Sequence, residues 1–283
     1  MWRARRLSQL ATGTTLLRVA CVILLLALVP LAAQLPQPRP GVEAYALLPG
    51  EGLAVAGPDG TLHTYGEASR ELPMGSLAKL LWMRLEGELW AAQGVEFTCT
   101  GHWKGHRCWN PRGHGHVDLA TALQESCNLA FLAWAQASAE RWPARYGEAA
   151  ARMRLEAVFG PFAGPRLGTG ETLPSIGPEW IGDGSLLRTS PVAMLAWMLA
   201  PAQREALARW RLYLQSASGG MEAQPIWWAK TGTAPLPGVM GETCAWVAGG
   251  DGELSCVLCL PRGKGRSNGL ARFRKLMQKP GPP

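Results

Sequence analysis

Acidic residues are missing from both ends of this chain, and charged residues of either sign are few throughout. Residues 1–33 hold four arginines and no acid, and residues 261–283 hold seven lysines or arginines and no acid. The overall charge of +7 is confined to these ends, because the residues between them carry a net charge of −4. Basic charge distributed in this way is typical of a membrane topology signal or a membrane surface, not of a nucleic-acid-binding face.

Zinc-finger, RNA-binding and helix-turn-helix signatures are absent too, as is any internal repeat. We therefore expect no nucleic-acid partner. Charged residues make up only 17% of the 283 residues, and hydrophobic residues make up 47%. This composition excludes a disordered chain and is sufficient for a substantial hydrophobic core in one large domain or two small ones.

The first 34 residues look like a membrane-targeting segment. Three arginines precede the apolar run VACVILLLALVPLAA, residues 19–33. This arrangement predicts an uncleaved signal anchor with the arginines inside, or a signal peptide that is cleaved after Ala33. A Pro-rich linker follows at residues 35–41, and a folded domain is expected from residue 42 to residue 283. Either way, the bulk of the chain is expected outside the cytoplasm.

Six cysteines lie beyond the targeting segment, where an oxidising environment allows disulfides. They are Cys99, Cys108, Cys127, Cys244, Cys256 and Cys259. Cys99 and Cys108 are close enough to close a small loop, and we expect them to form a disulfide. A rival interpretation is a zinc site that uses these two cysteines with histidines of the same stretch, namely His102, His106, His114 and His116. Their spacing fits no standard structural-zinc frame, so no metal is predicted.

The order of predicted elements indicates an α+β fold. Strand patterns at residues 43–48 and 52–66, the latter broken by a turn at Asp59-Gly60, precede a long helical middle. Helices are expected at about 76–92, after Asp118, after Asn128, over 143–160 and from Ser190-Pro191. Three strand patterns and a basic helix, SNGLARFRKLMQ, complete the chain. The terminal strands should form one antiparallel sheet flanked by helices, with the middle as a mainly helical lobe.

The stretch PMGSLAKLL, residues 73–81, carries a serine and a lysine three positions apart. Ser76 and Lys79 would share one face of a helix. A serine becomes a useful nucleophile only when a neighbour accepts its proton, which a lysine with a lowered pKa can do. An S-x-x-K match is frequent by chance, so the pair alone is better explained as two surface side chains.

Two further motifs follow in order. ESCNLAF places Ser126 and Asn128 in an S-x-N arrangement, and AKTGTA places Lys230, Thr231, Gly232 and Thr233 on a strand. The series S-x-x-K, S-x-N and K-T-G is the signature of penicillin-binding proteins and serine β-lactamases. The chain resembles the penicillin-binding protein transpeptidase domain over about residues 42–278. The similarity includes GHGHVDLATALQESCNLAF, SIGPEWIGDGSLLRTSPVAMLAW and KTGTAPLPGVMGETCAWVAGG.

This resemblance implies roles for the motif residues. Ser76 would be the nucleophile, Lys79 its base, and Ser126 a proton relay to the leaving amine. Asn128 would hydrogen-bond the substrate amide and position Lys79. The substrate carboxylate would bind Lys230, Thr231 and Thr233, with Gly232 allowing close approach. The backbone N–H groups of Ser76 and Thr233 would form the oxyanion hole. The resemblance also favours a structural role for the Cys99–Cys108 pair.

The resemblance further implies a function and a place in the cell. The expected activity is that of a D,D-transpeptidase on peptidoglycan stem peptides ending in D-Ala-D-Ala, which β-lactams would acylate, with no cofactor. A D,D-carboxypeptidase, a β-lactamase and a catalytically weak β-lactam sensor or cell-wall scaffold remain alternatives. The expected location is the bacterial cytoplasmic membrane, with a single pass and the domain on the periplasmic side, or secretion after cleavage. Other cell-wall synthesis proteins are possible partners.

Overall fold

A computed structural model describes residues 47–167, 172–215, 228–250 and 254–277, all within one compact unit. The described strands, in chain order, are β1 Gly52–Ala56, β2 Leu62–Gly66, β3 Leu72–Pro73, β4 Glu96–Cys99, β5 His102–Trp103, β6 His106–Arg107, β7 Gly115–Asp118, β8 Arg188–Thr189, β9 Trp228–Pro235, β10 Thr243–Gly250 and β11 Ser255–Leu260. The described α-helices are α1 Ala78–Gln93, α2 Leu119–Gln124, α3 Asn128–Tyr146, α4 Glu148–Ala163, α5 Pro191–Leu199, α6 Pro201–Gln215 and α7 Leu270–Met277.

The N-terminal and C-terminal strands form one five-stranded antiparallel sheet, as the sequence predicts. The strand order is β2-β1-β11-β10-β9, so the first strand of the unit pairs with the last. In β10, seven of eight residues are buried, which fits a central strand covered on both faces. Strand β9 forms the sheet edge next to the helical lobe and carries the K-T-G motif. The α+β prediction is therefore confirmed.

Helix α1 lies at the centre of the helical lobe because its tryptophans are packed against other aromatic rings. The ring of Trp82 stacks on Trp90 and Trp142, at centroid distances of 6.1 and 6.0 Å. Its indole N–H donates to the carbonyl oxygen of Trp180 at 2.8 Å. Trp90 donates in the same way to the Ser138 hydroxyl at 3.0 Å. Aromatic area buried with its polar atoms satisfied fixes this helix, and with it the residues at its N-terminus.

The chain begins and ends its helices largely where the local signals lie. Asp118 accepts a hydrogen bond from the Thr121 N–H at 2.8 Å and caps α2, and the Ser190 hydroxyl caps α5 by accepting from Ala193. The helical pattern over 143–160 is split at Gly147, where α3 ends and α4 begins. Helix α6 was not predicted. It contacts strand β9 at the edge of the sheet and packs against helices α1, α2 and α5.

Helix α7 packs on the sheet through the face that the sequence predicts. Leu270 and Phe273 are buried in a cluster with strand residues, and Leu276 packs against it. The side chain of Met277 lies outside the described part of the structure. The predicted strand at residues 43–48, the targeting segment and the linker also fall wholly or partly outside it. No helix within the described ranges has the length and apolarity needed to cross a membrane.

A buried ion pair joins the two ends of the folded unit. The guanidinium of Arg272, on α7, lies 2.8 Å from the carboxylate of Glu51, just before β1. The side chains are 14% and 3% exposed, respectively. The same carboxylate accepts the Leu48 N–H at 2.8 Å. A buried charge that loses its partner is strongly destabilising, so this pair ties helix α7 to the first strand.

We predict that Arg272→Met lowers the free energy of unfolding by about 3–5 kcal/mol, because it leaves the Glu51 carboxylate buried and unpaired. The exposed pair Arg262–Glu242, 2.9 Å apart with side chains 78% and 35% exposed, provides the control. Arg262→Met should cost no more than about 1 kcal/mol. Denaturant unfolding of the folded domain measures both. Equal costs for the two variants would contradict the structural role of the buried pair.

Candidate active site

Ser76 lies in a short 3-10 turn, Gly75–Leu77, that leads directly into α1. One turn later the buried Lys79 places its Nζ 3.0 Å from the Ser76 Oγ. The spacing of three residues thus brings the hydroxyl and the amine together, as the sequence predicts. Helix α1 also directs its N-terminal end, where partial positive charge accumulates, toward this serine.

The environment of Lys79 makes its neutral form easier to reach than that of an exposed lysine. Its side chain is completely buried, and burial lowers its pKa to about 8. The Cys127 and Cys108 thiols and the Asp183 carboxylate oppose this shift in that order. The Nζ also donates to the Asn128 Oδ1 at 2.8 Å and to the Ile181 carbonyl at 3.4 Å. A lysine held in this way can exchange a proton with a serine close to neutral pH.

Ser126 lies between α2 and α3 in an unusual backbone conformation. Its φ is +51°, in the left-handed region that few residues other than glycine adopt. The indole N–H of Trp109 donates to the carbonyls of Glu125 and Ser126, at 3.0 and 3.2 Å, and so holds this turn from outside. Strained backbone of this kind is frequent at functional sites, where the surrounding structure maintains it.

Lys230 of β9 reaches Ser126 from the sheet. Its Nζ forms a close contact with the Ser126 Oγ and donates to the Thr231 carbonyl at 2.9 Å. Burial lowers the pKa of Lys230 well below its ordinary value, and the nearby charges of Lys79 and Arg266 add to this effect. The two buried lysines therefore face the same small region, one from the helical lobe and one from the sheet.

The three motifs meet in a cleft of about 560 Å³. Of the motif residues, the two lysines lie beneath it and Gly232 is not at its surface, while Ser76, Ser126, Asn128, Thr231 and Thr233 line it. The Thr233 hydroxyl accepts the Gly265 N–H at 2.9 Å, which connects the edge strand to the turn before α7. Motif side chains from three distant segments thus surround one solvent-accessible space.

Several wall residues of the cleft were not predicted from the sequence. Arg266 forms a two-pronged ion pair with Glu125, at 2.6 and 3.3 Å, across 141 positions of the chain. Trp109 and Asp183 also line the cleft. No local pattern marks any of them as functional, because their position depends on how the loops before α2, α5 and α7 fold over the cleft.

Strand β9 and the loop that contains Gly182 pack directly against the turn that carries Ser76. A Cβ at Gly182, where φ is +90°, would lie 1.8 Å from the Gly75 carbonyl oxygen. A Cβ at Gly232 would lie 2.7 Å from the Met74 carbonyl oxygen. The backbone around Ser76 is therefore fixed by contacts that admit no side chain.

We predict that Gly182→Ala displaces the turn at Ser76 and lowers both stability and Ser76 reactivity. Gly238 is the matched control, since its φ is +78° but a Cβ there would meet nothing within 4 Å. Gly238→Ala should cost about 1–2 kcal/mol for the left-handed backbone alone. Gly182→Ala should cost about 1–3 kcal/mol more. If thermal melting and active-site labelling changed equally in both variants, the proposed close contact would be wrong.

Cys99 and Cys108, the pair predicted to form a disulfide, are two buried thiols in this structure. Each sulfur lies 3.5 Å from the His114 Nδ1. The sulfur of Cys127 joins them, and the four atoms lie within 4.8 Å of one another. The disulfide stays a prediction, and sequence proximity did not reveal the third thiol and the imidazole that lie beside the pair.

No family model matches the chain, and no curated protein matches it either. Solved structures do. The crystal structure of PBP2 from Pseudomonas aeruginosa is 14% identical with a TM-score of 0.57, covering 80% of this chain and 72% of that one. PBP2 from Helicobacter pylori, solved with MreC, is 14% identical with a TM-score of 0.58. The match covers 80% of this chain and 59% of that one. A class D β-lactamase from Fusobacterium nucleatum subsp. polymorphum is 14% identical with a TM-score of 0.54, over 80% and 88% of the two chains. The chain therefore has the fold that penicillin-binding proteins share with class D β-lactamases.

Proposed function

We propose that this protein is a serine acyl-transferase of the penicillin-binding type that acts as a D,D-transpeptidase on peptidoglycan stem peptides. The observation that carries the proposal is the buried Lys79 Nζ, 3.0 Å from Ser76 Oγ and 2.8 Å from Asn128 Oδ1 at the base of the cleft. The fold alone would leave many functions open. The lysine has a lowered pKa and a serine in reach, which a structural lysine would not need.

In the acylation step, the neutral Lys79 amine accepts the Ser76 proton as Oγ attacks the carbonyl carbon of the terminal D-Ala-D-Ala bond. The negative charge that develops on the carbonyl oxygen is stabilised by the backbone N–H groups of Ser76 and Thr233. When the C–N bond breaks, the leaving amine takes a proton from the Ser126 hydroxyl. Lys230, in contact with that hydroxyl, returns a proton to the Ser126 oxygen, and the proton taken from Ser76 stays on Lys79. The product is an ester between Ser76 and the donor peptide.

Substrate recognition would depend on the edge strand β9. The terminal carboxylate of the peptide, or the corresponding carboxylate of a β-lactam, would meet the Thr231 and Thr233 side of the cleft above Lys230. A cation held in a low-dielectric site attracts such a group strongly. Asn128 would orient the substrate amide while its Oδ1 holds Lys79. Burial disfavours the protonated form of Lys230, and a bound carboxylate would favour that form again.

A second candidate function is hydrolysis of the acyl-enzyme, by a carboxypeptidase or a β-lactamase. Asp183 favours it, because this carboxylate lines the same cleft and acts electrostatically on Lys79. A carboxylate in this place could activate a water on the ester. The same loop has two other carboxylates. Glu179 does not line the cleft, and Glu171 lies outside the described residues. Penicillin turnover distinguishes hydrolysis from a stable acyl-enzyme.

Location and partners follow from the same proposal. Residues 1–34 would anchor the chain in the cytoplasmic membrane with the domain on the periplasmic side, or would be cleaved on export. The substrate lies there. A cell-wall partner protein is also proposed, by analogy with the Helicobacter pylori PBP2 that was solved with MreC. A weak β-lactam sensor or scaffold is the alternative if the site acylates poorly.

The proposal predicts one covalent adduct with a fluorescent penicillin, on Ser76. Ser76→Ala should abolish the adduct. Lys79→Arg should slow labelling by about 10²–10⁴-fold, since an arginine keeps the charge but does not give up its proton. Arg209→Lys, at an exposed helical ion pair that does not line the cleft, is the control and should label normally. Time-resolved mass spectrometry of the intact protein measures the adduct and its loss.

Two results would contradict the proposal. A folded wild type that no β-lactam labels would argue for the scaffold alternative. Normal labelling of Lys79→Arg would show that another group is the base. Rapid loss of the adduct, with the loss abolished by Asp183→Asn, would instead favour the hydrolytic function over transpeptidation.

The acylation rate should also depend on pH through Lys79. Only its neutral form accepts the serine proton, so the rate should rise with pH to a plateau above its pKa of about 8. Below that value it should fall by about tenfold per pH unit. The groups that act on Lys79 are Cys127, Cys108 and Asp183, and its charge in turn acts on Lys230. Stopped-flow measurement at saturating penicillin removes effects on binding, and a flat profile from pH 6 to 9 would contradict the assignment.

A further inference from the structure

Four side chains with metal-binding atoms converge beside the second motif. They are the thiols of Cys99, Cys108 and Cys127 and the Nδ1 of His114, and all four atoms lie within 4.8 Å of one another. We propose that this cluster binds one structural zinc ion. The inference does not rest on the proposed function, because metal binding by these residues is independent of whether Ser76 is acylated.

The distances match the edges of a tetrahedral zinc site. Zinc bonds of about 2.3 Å to sulfur and 2.0–2.1 Å to nitrogen place neighbouring ligand atoms about 3.5–3.8 Å apart. The Nδ1 of His114 lies 3.5 Å from the sulfur of Cys99 and 3.5 Å from the sulfur of Cys108. One imidazole nitrogen has a single proton or a single lone pair, so two thiols at the same distance from Nδ1 do not both form a full hydrogen bond with it. A shared metal ion accounts for both contacts.

The chemistry of the donors selects the metal. Thiolates and imidazole are soft or borderline ligands that favour zinc over magnesium or calcium. Four protein ligands leave no open position for water, which is typical of structural rather than catalytic zinc. The three cysteines are only 1%, 6% and 0% exposed. Without a metal ion, the three buried thiols around this histidine would be weak hydrogen-bond donors with few strong acceptors.

Backbone pairing and turns bring the four side chains of the cluster together. Strands β4 and β7 pair so that Cys99 lies opposite Gly115, next to His114. The Cys108 N–H donates to the Gly101 carbonyl at 2.8 Å and folds the loop back. Gly113 has a φ of +77°, and a Cβ there would lie 2.1 Å from the Cys99 carbonyl oxygen. The loop is thus closed by backbone contacts that aim the ligands inward.

The position of Cys127 gives the metal a consequence for the active site. Cys127 lies between Ser126 and Asn128 and opens helix α3. Trp109 follows Cys108 and holds the Ser126 carbonyl. A zinc ion would join the loop that carries Trp109 to the segment that carries both motif residues. It would therefore act as a positioning element for Ser126, whose backbone is held in the left-handed region.

The test measures metal in the purified full-length chain by inductively coupled plasma mass spectrometry, before and after exposure to a weak chelator. We expect about one zinc per chain in the wild type and in Ser76→Ala. His114→Gln and Cys99→Ser should lose most of it. His116→Gln and Cys256→Ser are the matched controls and should keep it, because His116 pairs with Glu96 instead, at 3.4 Å, and Cys256 lies in the sheet.

Cobalt provides a second readout that needs no variant to fold. The wild type, depleted of zinc and given Co²⁺, should show thiolate-to-cobalt charge-transfer absorption and the visible bands of a tetrahedral ion. Both should be absent in His114→Gln and present in His116→Gln. Chelation should lower the melting temperature and slow labelling of Ser76 by fluorescent penicillin, and added zinc should restore both.

Three results would overturn the proposal. One is a folded wild type whose three cluster thiols are reduced and metal-free and that binds neither zinc nor cobalt. Another is a Cys99–Cys108 disulfide, found in non-reduced peptides from a chain without metal. The third is metal that His116→Gln loses and His114→Gln retains. A chain that binds zinc but is never labelled would refute the proposed function alone, and a chain that is labelled without metal would refute this inference alone.

Discussion

Burial of two lysines side by side is the constraint on which the rest of this structure depends. Lys79 is 0% exposed and Lys230 is 1% exposed. Because burial disfavours a charged amine, each must either lose its proton or be surrounded by hydrogen-bond acceptors. Asn128, Ser76 and the Ile181 carbonyl surround one amine, and Ser126 and the Thr231 carbonyl surround the other. A fold selected only for stability would place apolar side chains in these positions. The cost of burial is understandable if the amines are needed with lowered pKa values.

The sequence predicted the parts of the molecule that local patterns encode. Alternation and turn residues marked the strands β1, β2, β10 and β11, and the capping residues Asp118 and Ser190 marked where two helices begin. The three motifs were found because each is short and their order is specific. Their meeting in one cleft followed from the resemblance, not from any single motif. The exact roles of the motif residues remain predictions.

The parts that failed are those that depend on contacts across long stretches of chain. Glu51 and Arg272 are 221 positions apart, and Glu125 and Arg266 are 141 apart, so no periodicity connects them. The cysteine cluster is hard to read from sequence for a related reason. Residues 99–116 contain six side chains that could bind a metal, in no recognised frame, whereas in the structure three of them lie together with Cys127. Cys127 is outside that stretch and inside the second motif, where the sequence pattern gives it no role of its own.

Placing Cys127 inside that motif changes how the second motif is understood. Ser126 is held from the sheet by Lys230, from the cleft wall by Trp109, and, through its neighbour Cys127, from the cluster around His114. A residue with a φ of +51° does not keep that conformation on its own, since an L side chain there is disfavoured by roughly 1–2 kcal/mol. Three independent restraints that converge on one short turn offset this cost. The loop from Cys99 to His114 is therefore best understood as part of the active-site framework, although none of its residues belongs to the three motifs.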